Sequence, residues 1–190
     1  MSRLRLKLLV PFSLIAFLSS CTDPANKLPN YGGVPDFSMT DSNGHTFDRK
    51  MLSGVVWVVD FIYTNCPAEC PRMTSKMHQI AEQVQGEDNV GLLSISVDPA
   101  RDTPAVLNNF AQRYGGATAQ WHFVTGTPET VHTLAYTTFH VGDVIAKMEH
   151  STKFILVDKR GEIRGYYSSF DPDSIRSMLK DIDALRNVRS

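Results

Sequence analysis

The stretch VVWVVDFIYTNCPAECP, residues 55–71, contains the strongest structural signal in the chain. Its first part, Val55 to Tyr63, is a continuous run of β-branched and aromatic residues, typical of a central strand buried on both faces. Cys66 and Cys70 follow this run directly, and a helical pattern extends from about residue 72 to residue 84. A strand, a cysteine loop and a helix in this order predict that the cysteines lie where an α/β sheet places its functional site.

Strands and helices alternate on either side of this stretch. The pair Asn43-Gly44 predicts the turn of an N-terminal β-hairpin. Further strands are predicted at residues 90–97, 121–125, 153–158 and 162–167, and further helices at residues 104–114, 128–139 and 172–186. This order predicts one α/β domain with a thioredoxin-like fold, a mixed central sheet and an N-terminal β-hairpin.

Composition and charge narrow the classes of function. The chain has 190 residues, of which 42% are apolar and 21% are charged, so it can build one globular core. Its formal net charge is -1. A nucleic-acid-binding domain of this size is usually strongly basic, so we expect no nucleic-acid partner.

The N-terminus has the pattern of an export signal. Three basic residues precede the short apolar run Leu8–Leu18, which is too short to span a membrane. The run ends in Leu18-Ser19-Ser20-Cys21, which is similar to a bacterial lipobox, where the cysteine receives a diacylglyceryl group and becomes the first mature residue. The alternatives are a plain secretory peptide cut nearby and an uncleaved anchor. We predict that residues 1–20 are a lipoprotein signal peptide and that Cys21 is lipidated.

These features predict an exported protein, lipid-anchored to a bacterial cell membrane, with its domain on the periplasmic or extracytoplasmic side. Residues 21–33 are rich in proline, asparagine and glycine and are predicted to form a tether. Residues 34–190 are then the folded domain.

The two remaining cysteines are predicted to be chemically active. In an oxidising compartment, a thiol pair either closes into a disulfide or is kept reduced by a metal or a reductant. The spacing of Cys66 and Cys70 permits both a disulfide and two sulfur ligands on one metal ion. We expect Cys66 to lie in an exposed loop, and we expect the helix N-terminus to lower the pKa of Cys70.

Two thiolates need a further ligand to hold a metal ion well. Copper(I) accepts two sulfurs and one imidazole, whereas zinc requires a fourth ligand. The spacing favours His140 and His150, which precede the late hairpin, but does not choose between them. The full set of candidates is His45, His78, His122, His132, His140 and His150.

Three motifs together resemble the Sco/SenC family of copper proteins, which serve cytochrome c oxidase assembly. The first is the Cys-Pro-x-x-Cys-Pro loop at residues 66–71, placed after a hydrophobic strand. The second is SISVDPARDTP at residues 94–104, and the third is His150-Ser151 before the strand FILVD at residues 154–158. The resemblance covers roughly residues 34 to 186.

The resemblance implies the function and the site. It implies that Cys66, Cys70 and His150 are copper ligands, and that Asp98 is an accessory residue at the edge of the site, in partner contact or copper transfer. A strand-end cap before Pro99 is the alternative role for Asp98. The implied function is a non-enzymatic metallochaperone that carries Cu(I) or Cu(II) to the CuA centre of cytochrome c oxidase subunit II. A thiol reductant or another copper chaperone is the second expected partner.

Other classes of function stay open from the sequence. The same cysteine pair would serve a thiol-disulfide oxidoreductase or a redox sensor that acts on oxidase cysteines. The chain also departs from the family pattern at Glu69 and at Met148-Glu149, which add a carboxylate and a thioether beside the predicted site. A non-catalytic adaptor is disfavoured because the predicted ligands are all present.

Overall fold

The computed structural model describes residues 28–67, 69–116, 118–141 and 152–187. Within these ranges a seven-stranded mixed sheet has the strand order β2-β1-β5-β4-β3-β6-β7. The strands are β1 Ser38–Asp41, β2 Thr46–Asp48, β3 Val56–Ile62, β4 Val90–Ser96, β5 Trp121–Thr125, β6 Lys153–Val157 and β7 Ile163–Ser168. The α/β class, the mixed sheet and the N-terminal β-hairpin predicted from the sequence are confirmed.

Among the residues that the structure describes, four α-helices connect and flank the strands. They are α1 Glu69–Gln83, α2 Pro104–Arg113, α3 Pro128–His132 and α4 Pro172–Arg186. Helix α3 continues as a π-helix over Thr133–Thr138, and a short 3-10 helix, Arg49–Leu52, follows β2. In the described part of the chain, no helix is both long and apolar enough to cross a bilayer.

The centre of the sheet explains the apolar run in the sequence. Strand β3 pairs in parallel with β4 and antiparallel with β6, and all seven of its residues are buried. Layers of side chains therefore cover both of its faces, which removes the polar alternation of a half-exposed strand. Because β3, β4 and β5 are parallel, their carboxyl ends meet at one edge of the sheet, and the cysteine loop begins there.

Local signals set the helix starts. Thr103 caps α2 by accepting a hydrogen bond from the Val106 N–H, and Asp171 caps α4 in the same way through the Asp173 N–H. In both helices a proline occupies the first turn, where its missing N–H costs nothing. Helix α1 begins three residues before the predicted start, at Glu69, because Pro71 also falls in a first turn that tolerates it.

Two apolar clusters cover the two faces of the sheet. One lies against α1, α2 and α4 and includes Met77, Phe110 and Met178. The other includes Phe47 from the hairpin and Leu134 from the π-helix. Both cysteines of the loop belong to the first cluster, so the predicted site is built into the core and not onto the surface.

The last residues of the predicted tether lie along the edge strand β7. The Tyr31 N–H donates to the Ile163 carbonyl at 2.9 Å, and the Val34 N–H donates to the Gly161 carbonyl at 2.9 Å. The buried Arg164 guanidinium donates to the carbonyls of Pro29 and Leu28. Residues 28–34 thereby cover an edge that would otherwise present unpaired backbone groups.

Candidate metal and redox site

The cysteine loop turns the chain from β3 into α1. The Cys66 N–H donates to the Tyr63 carbonyl at 3.3 Å, which closes a tight turn directly after the strand. Cys70 lies in the first turn of α1. Both cysteines are reduced in this structure. Cys66 is 6% exposed and Cys70 is 3% exposed, so the expectation that Cys66 lies in an exposed loop is wrong.

The two sulfurs meet at the N-terminus of α1. The Cys70 N–H donates to Cys66 Sγ at 3.3 Å, and the two side chains are also hydrogen-bonded to each other. Cys66 therefore lies in front of the positive end of the helix, where a thiolate is stabilised. Cys70, by contrast, is already part of the helix and turns its side chain into the core.

This placement reverses the predicted effect on Cys70. Burial raises the pKa of the Cys70 thiol, and the neighbouring Cys66 sulfur raises it further. A hydrogen bond from the Tyr63 backbone N–H acts in the opposite direction and is the smaller effect. The prediction of a lowered pKa at Cys70 is wrong, because desolvation of its side chain outweighs the helix dipole. The sulfur that lies at the helix N-terminus, where the helix dipole stabilises a thiolate, belongs to Cys66 and not to Cys70.

A buried carboxyl group lies beneath the site. Asp60 is completely buried in β3, and its Oδ1 accepts a hydrogen bond from Ser94 Oγ at 2.7 Å. Ser94 Oγ in turn accepts from Trp121 Nε1 at 3.0 Å. Among the described residues, Asp60 Oδ2 has no hydrogen-bond partner. Burial raises the pKa of Asp60 to about 7, and its negative charge also raises the pKa of Cys70.

A second buried carboxylate anchors the cysteine loop to the neighbouring loop. Asp102, which is 1% exposed, accepts hydrogen bonds from Thr64 Oγ1 at 2.5 Å and from the Thr64 N–H at 3.1 Å. It also accepts from Ser96 Oγ at 2.6 Å. Thr64 stands two residues before Cys66, so Asp102 fixes the turn that places the Cys66 sulfur. The loop between β4 and α2 and the cysteine loop thus form one unit.

Asp98 lies on that same loop. Its carboxylate accepts from Arg101 Nη1 at 2.8 Å, and its N–H donates to Ser96 Oγ at 3.1 Å. Its carbonyl accepts from the N–H groups of Arg101 and Asp102. These bonds fit a role in ending β4, and they also connect Asp98 through Ser96 and Asp102 to the cysteine loop.

A sequence model of the SCO1/SenC family matches residues 26–187, nearly the whole chain beyond the predicted signal peptide. The chain belongs to the SCO1/SenC family. The prediction made from the three motifs is confirmed.

Solved structures of relatives agree with this assignment. A SCO1/SenC family lipoprotein from Bacillus anthracis is 31% identical, with a TM-score of 0.75 over 84% of this chain and 97% of the relative. BsSco, described as a Sco family cytochrome c oxidase assembly protein with a disulfide switch, is 27% identical, with a TM-score of 0.74 over 86% and 98% of the two chains. Yeast Sco1 with copper bound is 26% identical, with a TM-score of 0.63 over 80% and 90%.

Five of the six histidines of this SCO1/SenC chain lie within the described residues, and His150 lies outside them. His122 packs between Phe47 and Trp57, at ring-centroid distances of 5.0 and 5.7 Å, and burial lowers its pKa. His78 lies against Gly115, and His132 stacks on Tyr136. His45 pairs with Asp41, and His140 has a left-handed backbone with φ of 49°.

Among the described residues, no three histidine, cysteine or acidic side chains come together as a metal site. The predicted third ligand, His150, lies outside the described residues, and so do Cys21 and Met148-Glu149. The structure therefore brings together the two sulfurs of the predicted site. The choice between His150 and His140 rests on the family resemblance.

Three residues around the sulfurs were not predicted from the sequence of this SCO1/SenC protein. They are Tyr63, whose hydroxyl hydrogen-bonds to Cys66, the buried acid Asp60, and the loop anchor Asp102. A signal was present for Asp60, because it is the single charged residue in a strand that is otherwise apolar. No local pattern marks Asp102, since its partner Thr64 lies 38 residues away in sequence.

Proposed function

We propose that this protein is a copper metallochaperone that holds copper with Cys66, Cys70 and His150. In this proposal it delivers the ion to the CuA centre of cytochrome c oxidase subunit II. The observation that carries the proposal is the contact between two reduced, buried sulfurs at the junction of β3 and α1. Membership of the SCO1/SenC family and the copper bound to the yeast relative support it.

The chemistry of the two sulfurs suits a soft ion. Thiolates select Cu(I) among the ions available to a protein, and one imidazole completes a three-coordinate set. Binding requires that both sulfurs lose their protons. Since burial and Cys66 raise the pKa of Cys70, copper must displace the proton of Cys70, and affinity falls as the pH drops. Two thiolates, a neutral imidazole and Cu(I) leave one net negative charge on the site.

The same sulfurs provide a redox switch in this proposal. Thiol-disulfide exchange with an oxidised partner disulfide closes the Cys66–Cys70 disulfide, passes two electrons and two protons to the partner's sulfurs, and leaves no thiolate to bind copper. The disulfide state is then the release or resting state. The disulfide switch of the BsSco relative supports this reading. The further partner in this proposal is a thiol reductant that restores the thiols or another copper chaperone that supplies the ion.

Lipid at Cys21 would hold the domain near its membrane partner. The seven residue-to-residue steps from Cys21 to Leu28 span at most about 25 Å even when fully extended. This restraint raises the effective concentration of the domain around an oxidase subunit in the same membrane. The lipoprotein relative from Bacillus anthracis supports the anchor. Asp98, on the loop tied to the cysteine loop, is the proposed contact for the partner.

A thiol-disulfide oxidoreductase is the second candidate. The different surroundings of the two sulfurs favour this function. Cys66 accepts hydrogen bonds from Tyr63 and from the Cys70 N–H, whereas burial keeps Cys70 protonated. One sulfur is thus prepared to attack a partner disulfide, and the other to resolve the mixed disulfide. Copper stoichiometry on the reduced protein, set against turnover of a disulfide substrate, separates the two functions.

The proposal is tested by metal analysis of the reduced protein. We expect one copper per chain and a thiolate-to-copper charge-transfer band after addition of Cu(II). The double substitution Cys66→Ser, Cys70→Ser should abolish both, because it removes the sulfur ligands. His150→Ala should weaken binding by on the order of tenfold or more, and the matched variant His140→Ala by much less. Full copper occupancy in the double serine variant would exclude the cysteines as ligands.

A further inference from the structure

Tyr63 contacts both sulfurs of the cysteine pair and is not a predicted ligand. It follows directly after β3, is 7% exposed, and belongs to the same apolar cluster as Cys66 and Cys70. Its carbonyl accepts the Cys66 N–H and closes the turn of the cysteine loop. The ring is therefore packed in the core, and the turn fixes the backbone of the same residue.

Tyr63 makes a hydrogen bond to each sulfur. Its hydroxyl donates to the Cys66 sulfur, and its backbone N–H donates to the Cys70 sulfur. A tyrosine hydroxyl carries its proton at physiological pH and has one O–H to donate, so it acts as a donor toward the Cys66 sulfur. With the Cys70 N–H at 3.3 Å, Cys66 has a second donor.

A donor of this kind does not act equally on the two redox states of the pair. A thiolate is a charged acceptor, and hydrogen bonds to charged groups are about twice as strong as bonds to neutral ones. The sulfur of a disulfide carries no charge and accepts weakly. The Tyr63 hydroxyl therefore stabilises the reduced pair relative to the disulfide. On a copper-bound thiolate the same bond withdraws electron density from sulfur, which tunes the potential of the metal.

We propose that Tyr63 is a positioning residue whose hydroxyl holds Cys66 in its reduced, metal-accepting form and sets the potential of the cysteine pair. This inference rests on the proposed function for its biological meaning. The first test measures the thiol-disulfide equilibrium of the cysteine pair and does not depend on copper. The redox step is the exchange of the protein dithiol with oxidised glutathione, which yields the protein disulfide and two reduced glutathione molecules.

The test compares Tyr63→Phe with wild type in glutathione buffers of graded potential, using the full-length protein in detergent and thiol quantitation. Phenylalanine keeps the packed ring and removes only the hydroxyl. We expect the equilibrium to move about tenfold toward the disulfide, a potential lower by roughly 30 mV for two electrons. Tyr166→Phe is the matched control, because the Tyr166 hydroxyl is buried and has no hydrogen-bond partner among the described residues. It should leave the equilibrium unchanged.

A second readout is the spectrum of the copper-loaded protein. Loss of the hydrogen bond makes the sulfur a better donor, so the charge-transfer band of Tyr63→Phe should move to lower energy.

A glutathione equilibrium for Tyr63→Phe within twofold of that of Tyr166→Phe would overturn the role of Tyr63. If neither wild type nor variant binds copper, the proposed function fails, and the glutathione equilibrium still decides the role of Tyr63. Thermal unfolding of both variants verifies that the core is retained.

Discussion

At the scale of single residues, the two cysteines of the motif differ more than their symmetrical spacing indicates. Cys66 lies in front of the helix N-terminus and accepts hydrogen bonds from the Cys70 N–H and from the Tyr63 hydroxyl. Cys70 is desolvated inside the first turn of α1, which raises its pKa. In the proposed function, Cys66 is therefore the sulfur that attacks or binds copper first, and Cys70 follows after it loses its proton.

The buried acid Asp60 gives a prediction about pH and stability at this scale. Burial raises its pKa to about 7, so the folded state favours the protonated form. The unfolded chain titrates near the ordinary value, and the fold therefore loses stability as the pH rises from about 4 through about 7. Between pH 5 and pH 8 we expect the free energy of unfolding of wild type to fall by roughly 2.5 kcal/mol more than that of Asp60→Asn. One titrating group can change this free energy by at most about 1.36 kcal/mol per pH unit.

Urea denaturation of both proteins at the two pH values measures this difference. Asp41→Asn serves as a comparison from the hairpin, where the carboxylate accepts the N–H groups of Asn43 and His45 at the sheet edge. Because this variant retains Asp60, it should lose free energy of unfolding between pH 5 and pH 8 as wild type does. Parallel pH profiles for wild type and Asp60→Asn would show that Asp60 is ionised in the fold.

At the scale of elements, the segment SISVDPARDTP, residues 94–104, connects β4 to α2 and holds the cysteine loop in place. Ser96 ends β4, Asp98 begins the turn, Asp102 reaches across to Thr64, and Thr103 caps α2. One short segment thus ends a strand, starts a helix and fixes the cysteine loop. The motif used to identify the family from sequence is, in the structure, the support of the cysteine loop.

The substitution Asp102→Asn tests whether this segment supports the cysteine loop. Asp102→Asn replaces one acceptor oxygen by an amide and leaves the Thr64 N–H or hydroxyl without its partner. Since an unsatisfied buried group costs about 1–3 kcal/mol, we expect a loss of about 2 kcal/mol in the free energy of unfolding. We also expect the cysteines to react faster with a bulky alkylating reagent, because the turn that buries Cys66 is loosened.

The matched control for this experiment is Arg101→Ala, on the same loop. Its side chain is 70% exposed, and its pair with Asp98 contributes at most about 1 kcal/mol. Denaturant unfolding and timed alkylation report the two quantities separately. If both variants show the alkylation rate of wild type, the loop does not depend on Asp102.

At the scale of the whole molecule, the chain before the domain is partly integrated into it. Residues 28–34 bond to β7, and Arg164 ties their carbonyls to its buried ion pair with Asp158 at 2.8 Å. The domain therefore includes residues that composition alone assigns to a tether. Only the residues before Leu28 separate the predicted lipid anchor from this docked segment.

Truncation tests this integration. A chain that begins at Lys27 should retain full stability, whereas a chain that begins at Pro35 should lose about 3 kcal/mol and several degrees in Tm. The loss comes from the missing backbone hydrogen bonds and from Arg164, whose guanidinium loses two carbonyl acceptors while remaining buried. Thermal and urea unfolding measure it. Equal Tm values for the two chains would mean that residues 28–34 do not stabilise the domain.

The sequence by itself determined the order of the strands and α-helices, the fold class and the family. These follow from local signals: the apolar run of β3, the Asn43-Gly44 turn, the caps and prolines at helix starts, and the motifs around Cys66 and Asp98. Only the tertiary structure decided how the site works. The burial of Cys66, the raised pKa of Cys70, the anchor from Asp102 to Thr64 and the docking of residues 28–34 on β7 depend on contacts between distant parts of the chain. Desolvation and hydrogen-bond partners are properties of the packed neighbourhood, and a linear pattern does not contain them.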